Sequence, residues 1–287
     1  MSTTKFIPTL WSARILAALE KELVYSKFFN RDYEGEIQSA GDTVKIGLVG
    51  APTVKAYSKG AAIDDPEDVS VTESSLAIDQ ADYFNIAVED VDAAQSAINL
   101  LESATSQTGY GFSDKTDQYL GSLLAGKAGA TIGTKAAPTA ITAANAYNIL
   151  VQLKTALDKA NCPKTNRVVA VPPEFEGFML LDPRFVQVGV DASDERLTEG
   201  TVYKAAGFQI LVTNNAPQEE VTGEKEAKTL VFDIIAGCDQ SGTYADQILK
   251  TEAYRPEKSF KDAVKGLHVY GAAVTRPTCV VSAKVSF

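Results

Sequence analysis

Residues 31–87 are the segment that most limits how this chain can fold, because their pattern predicts a β-hairpin that is not stable alone. Short β-type runs such as TVKIGLV at 43–49 are punctuated by glycines, and the acidic sequence DDPED at 64–68 is typical of a turn. The runs offer few apolar anchors, and an isolated two-stranded hairpin is marginal in water. We therefore expect something outside the hairpin to support it.

The end of the chain, in contrast, is predicted to form buried strands. Residues 267–276 contain LHVYGAAV, which is apolar on both faces, as in a strand buried on both sides. From Cys279 to Phe287 every second residue is apolar or nearly so, which is the period of a half-buried strand. These residues are expected to complete a domain that begins near residue 85.

Two helices are predicted in the first half of the chain. LWSARILAALEKELV at 10–24 places Trp11, Ile15 and Leu19 on one helical face, which packs either on its own domain or against a neighbouring chain. Residues 88–126 predict a second helix, bent or interrupted by Gly-Tyr-Gly at 109–111.

The second half mixes strands and helices. Thr142 is expected to cap a helix that ends at Asn161. The sequence between residues 216 and 228 is predicted as a charged, solvated loop. Further elements are predicted at four runs, of which the second is a short helix and the others are strands: RVVAV (167–171), PPEFEGFMLL (172–181), FQILVTN (208–214) and TLVFDII (229–235).

Length and charge narrow the class of protein. A chain of 287 residues is long enough for one large domain or two interleaved ones with a buried core. Its 27 basic and 37 acidic residues give a net charge of −10, which argues against sequence-reading binding to DNA or RNA. The absence of a signal peptide and of any apolar run near the roughly 20 residues of a spanning helix predicts a cytoplasmic protein with no membrane partner.

The sequence offers little catalytic chemistry. The single histidine, His268, lies in an apolar run and provides no metal site or catalytic triad by itself. GSLLAGKA at 121–128 fails the phosphate-loop pattern at Ala128, and the acidic runs at 64–68 and 191–195 lack the spacing of a calcium loop. We therefore predict no catalytic, cofactor-binding or metal-binding residue. The cysteines show neither a disulfide framework nor zinc spacing, which fits a reducing compartment: Cys162, Cys238 and Cys279.

Several stretches in order carry a family resemblance. They are FIPTLWSARILAALEKELV and NRDYEGEIQSAGDTVKI near the start, LAIDQADYFNIAVEDVDAAQS at 76–96, GTVYKAAGFQILVTNNAP at 200–217 and EAYRPEKSFKDAVKGLHVYGAAVTRP at 252–277. Together they resemble the phage major capsid proteins with the HK97-like shell fold, particularly the P22-type coat proteins. Each stretch alone is a weak match, but the order and spacing of the stretches make the joint match specific.

The resemblance implies an α+β fold of five parts. An arm and an extended hairpin loop would reach over neighbouring subunits, a long spine helix would cross a peripheral domain, and an axial domain would surround the symmetry axes. The implied boundaries are an N-terminal arm at 1–30, an extended loop at 31–87, a peripheral domain with the spine helix at 88–164, an axial domain at 165–245, and a return to the peripheral domain at 246–287.

The resemblance also implies the function. The chain would self-assemble through hexamers and pentamers into an icosahedral virion capsid around double-stranded DNA bound without sequence specificity, in the cytoplasm of a bacterial host. Expected partners are a separate scaffolding protein, a portal protein at one vertex and, optionally, decoration proteins. Residues expected at subunit interfaces are Trp11, Ile15, Leu19, Asp64, Asp65, Glu67 and Asp68.

Two features depart from the family. The chain has no room for the inserted extra domain of the P22-type coat. Some relatives begin with a long helical segment that is later cleaved, whereas here only about eight residues precede the first predicted helix, from which we expect no cleavage of a large N-terminal segment. Two other functions stay open at this point. One is a nanocompartment shell of the encapsulin kind that encloses a cargo enzyme, and the other is a soluble enzyme of unrecognised type.

Overall fold

A computed structural model of the chain contains two large β-sheets, a separate hairpin and three α-helices among the residues it describes. These residues are 23–33, 43–49, 53–56, 59, 65, 67–68, 71–89, 100–182, 204–222, 228–257 and 261–287. The helices are α1 Leu100–Gly126, α2 Ala146–Lys159 and α3 Pro173–Leu181. The strands are β1 Phe29–Asn30, β2 Thr43–Val49, β3 Val71–Ala77, β4 Gln80–Glu89, β5 Ala130–Ile132, β6 Thr139–Ala140, β7 Arg167–Val171, β8 Lys204–Ala205, β9 Phe208–Val212, β10 Gln218–Thr222, β11 Lys228–Cys238, β12 Gly242–Tyr254, β13 Lys261–Ala273 and β14 Val281–Ser286.

The eight-stranded sheet has α2 and α3 on one face, and α1 with the N-terminal segment on the other. Its main order is β5-β14-β11-β7-β9-β8, with β10 beside β11 and β6 beside β14. All residues of β7 are buried, as predicted for RVVAV. Val169 and Val171 pack in one core cluster with α2 and α3, whereas Val168 and Ala170 pack in another with Phe28 and α1. The alternation of side chains along β7 therefore divides the interior into two cores.

The four-stranded sheet gathers segments that are far apart in sequence. Its order is β1-β12-β13-β4, with β1 parallel to β12 and the other pairs antiparallel. Strand β13 contains LHVYGAA and is buried over most of residues 263–271, as predicted. It pairs with β4 from Lys261↔Glu89 to Tyr270↔Gln80, so this part of the return does join a strand near residue 85.

The last strand corrects one expectation. Strand β14 forms where the alternation predicted it, but it pairs with β11 of the eight-stranded sheet and not with the sheet of β4. Ser282 on β14 is buried, and this is tolerated because its hydroxyl donates a hydrogen bond to Asp233 on β11, at 3.0 Å. The polar residues that looked solvent-facing are thus partners for a polar residue of the neighbouring strand, which the alternation alone does not reveal.

The structure of helix α1 differs from two further sequence predictions. Residues 88 and 89, predicted as helical, belong to strand β4, and the helix is continuous through residues 109–111. Its 27 residues span about 40 Å. Phe112, Leu120 and Leu124 are buried in the core, and packing of this kind outweighs the low helix propensity of glycine. Within the described helices, no segment combines the length and hydrophobicity that a membrane crossing needs.

Two local predictions shift by a few residues. Helix α2 begins at Ala146 and not near Thr142, whose backbone N–H donates to Asn145 Oδ1 at 2.8 Å in the preceding turn. Asn161 ends this helix as predicted, with a left-handed φ of +55°. In the predicted loop at 216–228, residues 218–220 are exposed as expected, but Ala216 is buried and Gln218–Thr222 form strand β10, which pairs with β11. An edge strand with exposed charges lacks the apolar alternation that distinguishes a strand from a loop.

Candidate subunit-interaction site

As far as its side chains are described, the hairpin of β2 and β3 is anchored at its base. The two strands pair from Thr43↔Ala77 at the base to Val49↔Val71 at the far end. Four apolar side chains near the base pack against Ala245 and Val269 of the four-stranded sheet: Val44, Ile46, Leu76 and Ile78. This small cluster is the support that the sequence requires, and it comes from the chain's own sheet.

Beyond the base, the described residues of the hairpin are exposed. Val71 is 57% exposed, and Val54, in the connection between the strands, is 95% exposed. The other described residues between 53 and 68 are also exposed. Apolar side chains presented in this way on an extended arm are suited to contact with another molecule.

The predicted interface residues fall into three groups. Trp11, Ile15, Leu19 and Asp64 lie outside the described residues. Asp65 and Asp68 are exposed. Glu67 is exposed but already engaged, because its carboxylate accepts hydrogen bonds from the backbone N–H and hydroxyl of Thr53, at 3.2 and 3.1 Å.

The segment before the hairpin is tied into the core. The 3-10 turn Tyr25–Phe28 buries both aromatic rings, and Asp117 Oδ1 on α1 accepts the backbone N–H groups of Val24 and Tyr25 at 2.9 Å each. Further along, Arg31 forms an ion pair with the buried Asp246 of β12. Residues 23–31 therefore fix the point from which the chain enters the hairpin.

Asp117 makes the stability of this anchor pH-dependent. Burial raises the pKa of its carboxyl to about 6, although the backbone N–H groups of Tyr25 and Val24 act in the opposite direction. A group whose pKa is higher in the folded chain destabilises the fold as pH rises from its unfolded value through its folded value. Stability should therefore fall between about pH 4 and pH 6.

We expect Asp117→Asn to remove this pH dependence while keeping the Oδ1 acceptor. The free energy of unfolding of the native chain, relative to the variant, should be about 2–3 kcal/mol lower at pH 7.5 than at pH 4. Urea unfolding of the unassembled chain at both pH values measures this difference. An equal difference at both pH values would mean that Asp117 does not titrate in this interval.

Asp233 on β11 and Lys284 on β14 form a second polar contact, in which Asp233 is buried and Lys284 is partly exposed. Lys284 Nζ lies 2.8 and 3.0 Å from the two carboxylate oxygens, and the Ser282 hydroxyl completes the group. The pair borders a surface cavity of about 520 Å³, where Glu219 also lies. Glu219 is paired with Lys135 and has a lowered pKa because of that lysine. The acids of this cavity are thus bound to lysines, which does not favour acid–base catalysis.

Lys284→Met is expected to destabilise the chain by about 2–3 kcal/mol, because it leaves the Asp233 carboxylate buried without its cation. Adding Asp233→Val should recover part of the loss, because it removes the buried charge but leaves the Ser282 hydroxyl without its acceptor. Urea unfolding of both single variants and the double variant gives the coupling free energy. Additive effects would contradict a direct interaction.

The structure also brings together residues that sequence reasoning treated as separate. Cys162, Cys238 and Cys279 are buried, and their sulfur atoms lie within 4.8 Å of one another. Asp117 and Tyr25 are separated by 92 positions. Such pairs carry no local signature, so only the register of the strands and the packing of α1 reveals them. His268 is buried between Phe112 and Tyr270, in agreement with a packed imidazole.

Comparison with known proteins gives a consistent result. The sequence model of a family described as phage capsid protein matches residues 71–283. A solved structure from Mycobacterium phage Che8 is 29% identical, with a TM-score of 0.72 over 91% of this chain and 90% of that chain. The capsid of the cyanophage P-SCSP1u is 16% identical, with a TM-score of 0.71 over 92% and 88%. No curated protein sequence gives a significant match.

A more distant structural neighbour bears on the alternative of a nanocompartment shell. A virus-like particle from Pyrococcus furiosus is 12% identical, with a TM-score of 0.53 over 96% of this chain and 98% of that chain. At this identity the likeness shows the fold alone. The set of neighbours confirms the α+β, HK97-like shell fold expected from the sequence.

Proposed function

Because this chain belongs to the phage capsid protein family, we propose that the icosahedral shell it forms as a major capsid protein encloses a double-stranded DNA genome. A net charge of −10 supports this, since an acidic shell does not adhere to packaged DNA. The same charge argues against sequence-specific binding of that DNA. The capsid of the virion is the place where the protein acts.

The observation that carries the proposal is the hairpin of β2 and β3. Its base is anchored by Val44, Ile46 and Leu76, whereas its described distal residues are exposed. A monomer gains nothing from an arm held in this way, but a shell gains a contact with the next subunit. Many such contacts, each weak, hold a closed assembly together.

The proposed division of the chain follows the sequence boundaries. Residues 1–30 are the N-terminal arm, 31–87 the extended loop, 88–164 the peripheral domain with α1 as its spine, 165–245 the axial domain and 246–287 the return. Within these bounds, residues 23–30 are packed in the core and β4 is part of the four-stranded sheet. Among the described residues, the part of the extended loop that leaves the body is therefore the hairpin of β2 and β3.

The proposed partners are other copies in hexamers and pentamers, a separate scaffolding protein, a portal protein at one vertex and optional decoration proteins. Assembly is proposed in the host cytoplasm and without a membrane. Trp11, Ile15 and Leu19 are proposed to lie at an interface, together with the acidic group Asp64, Asp65, Glu67 and Asp68. No enzymatic activity is proposed, because charged groups such as Asp233 and Lys284 are paired with each other.

Electron microscopy of the purified protein tests the proposal. The chain is expressed alone and together with the adjacent scaffolding gene, and closed shells, sheets or tubes of hexamers are expected. A protein that stays monomeric and folded under both conditions would refute the shell function. It would also direct attention back to the 520 Å³ cavity near Asp233.

The contents of native particles separate the phage shell from the nanocompartment shell. The likeness to the virus-like particle of Pyrococcus furiosus favours testing this alternative directly. Particles are treated with nuclease, opened, and analysed for protected nucleic acid and for co-purified protein. Double-stranded DNA of genome length supports the proposal, and a stoichiometric enzyme without DNA would replace it.

Reversing the charge of the hairpin connection should weaken assembly more than folding. Asp64, Asp65 and Asp68 are changed to Lys, while Glu67 is kept because it holds Thr53. If these acids face a complementary surface, the concentration needed for shell formation should rise at least about tenfold. Light scattering measures assembly, and thermal unfolding measures the stability of the monomer.

The same sites changed to Asn are the control and should give a smaller effect. Shells that form normally from the reversed chain would contradict the docking of this segment.

A further inference from the structure

Three cysteines from three different parts of the fold meet in the core. Cys162 follows α2, Cys238 is the last residue of β11, and Cys279 ends the 3-10 turn Pro277–Cys279. The Cys162 and Cys238 sulfurs are 3.5 Å apart, and all three sulfurs lie within 4.8 Å of one another. Their residues are 4%, 0% and 5% exposed, so the group is closed to solvent.

The backbone around this cysteine cluster is held by buried polar side chains. The Ser241 hydroxyl lies 2.7 Å from the carbonyl oxygen of Cys238 and 3.1 Å from that of Cys279, and it accepts the N–H of Cys238. Arg167 donates to the carbonyl oxygens of Cys162 and Pro163 at 2.7 and 2.8 Å. All three positions are therefore fixed before any ion binds, which is what a preformed site requires.

The sulfur geometry matches that of a thiolate-bound ion. With a metal–sulfur distance of about 2.3 Å, the sulfurs of a zinc site are about 3.8 Å apart in tetrahedral geometry and about 4.0 Å apart in trigonal geometry. One observed distance is slightly below these values and none exceeds 4.8 Å. Small rotations about the side-chain bonds would equalise the three distances.

We propose that Cys162, Cys238 and Cys279 form a structural site for one soft, thiophilic metal ion, of the zinc(II) or copper(I) class. In the part of the chain that the structure describes, no carboxylate or imidazole joins the three sulfurs as a fourth ligand. Binding forms three metal–sulfur bonds and releases three thiol protons to solvent, with no change in oxidation state. The resulting site has a net charge of −1 with zinc(II) and −2 with copper(I).

The environment favours the divalent ion. The Arg167 side chain is 3% exposed and forms an ion pair with Asp158, whose side chain is partly exposed. A buried anion is costly unless a cation lies near it, and the smaller charge of the zinc site is easier to accommodate. The bound ion would tie the end of α2, the end of β11 and the turn before β14 to one another.

Refolding of the full chain tests the site. The protein is unfolded in guanidinium with reductant and chelator, desalted, and refolded without metal, with zinc(II), or with copper(I) under reductant. Metal is then counted by mass spectrometry of the elements after removal of free ions. We expect one ion per chain and a higher midpoint of thermal unfolding, because the ion binds the folded state only.

Two variants and one chemical probe make the result specific. Cys279→Ala should lose the stoichiometric ion, whereas Val281→Ala, an equally buried truncation in the same core without sulfur, should keep it. On the native chain, metal should slow alkylation of all three thiols by N-ethylmaleimide during partial unfolding. This last readout stays valid if Cys279→Ala does not fold.

Three outcomes would overturn the proposal. They are metal content below 0.1 ion per chain under all conditions (about a tenth of the stoichiometric value), equal metal content in Cys279→Ala and Val281→Ala, and a mass lower by two hydrogens that reveals a Cys162–Cys238 disulfide. In the first two cases the cysteines serve as small apolar core residues. None of these outcomes bears on shell assembly, so the two proposals stand or fall separately.

Discussion

Replacing residues 50–70 by an Asn-Gly turn is expected to give a subunit that folds but does not form shells. Val49 and Val71 face each other across the hairpin, so two residues of a type well suited to tight turns can join them. The anchoring cluster of Val44, Ile46 and Leu76 lies at the other end of the hairpin and is untouched. The change removes a segment whose described residues are exposed and, in the proposed shell, available to a neighbouring subunit.

Thermal unfolding and electron microscopy check this expectation together. The free energy of unfolding of the monomer should change by less than about 1 kcal/mol, because the described residues among those deleted are exposed. Shells should fall below detection. A chain in which residues 50–70 are replaced by a Gly/Ser sequence of equal length is the matched control, and it separates the side chains from the length of the arm. Normal shells from the shortened chain would exclude this arm from assembly.

Gly271→Ala is expected to destabilise the whole subunit by about 3 kcal/mol or more. A Cβ at Gly271 on β13 would overlap the carbonyl oxygen of Ala77 and lie 2.9 Å from the Cα of Ile78. Both are backbone atoms at the junction of β3 and β4, so neither can rotate away. The strand must move, and the cluster that holds the base of the hairpin moves with it.

Urea unfolding measures the loss, and Gly111→Ala provides the control. Gly111 lies on the exposed side of α1, where an added methyl group would have no neighbour within 4 Å, so alanine there should raise stability by about 0.5–1 kcal/mol through helix propensity. The two variants make the same chemical change with opposite expected signs. A destabilisation of similar size in both would mean that crowding at Gly271 is not the cause.

How far the sequence predicts this structure depends on the range of the interactions. RVVAV, the strand after Pro277 and the proline-initiated helix α3 were predictable, because each is specified by neighbouring residues. The sheet to which β14 belongs was not predictable, because the alternation of apolar and polar residues around Ser282 would be the same beside either partner strand. The unbroken course of α1 through Gly111 depends likewise on burial of Phe112, which lies beyond any local window.

The candidate site was predictable only in outline. A hairpin that needs support can be inferred from its sparse anchors, but the identity of the support, Ala245 and Val269, requires the register of β12 and β13. The cysteine cluster and the contact of Asp117 with Tyr25 depend on segments that meet only after the sheets have formed. Family resemblance provided the function without providing any of these contacts.

The direct passage from β3 into β4 gives the hairpin the mechanics of a lever. Only Ile78 and Asp79 separate the two strands, and Ile78 is buried. The seven residues of β3 extend about 24 Å from this fulcrum. A rotation of about 10° at the fulcrum moves the far end of the strand by about 4 Å, roughly the separation of neighbouring strands. In the proposed shell, a very small adjustment at one buried junction would thus let chemically identical subunits reach neighbours set at different distances, as the curvature of a closed surface demands.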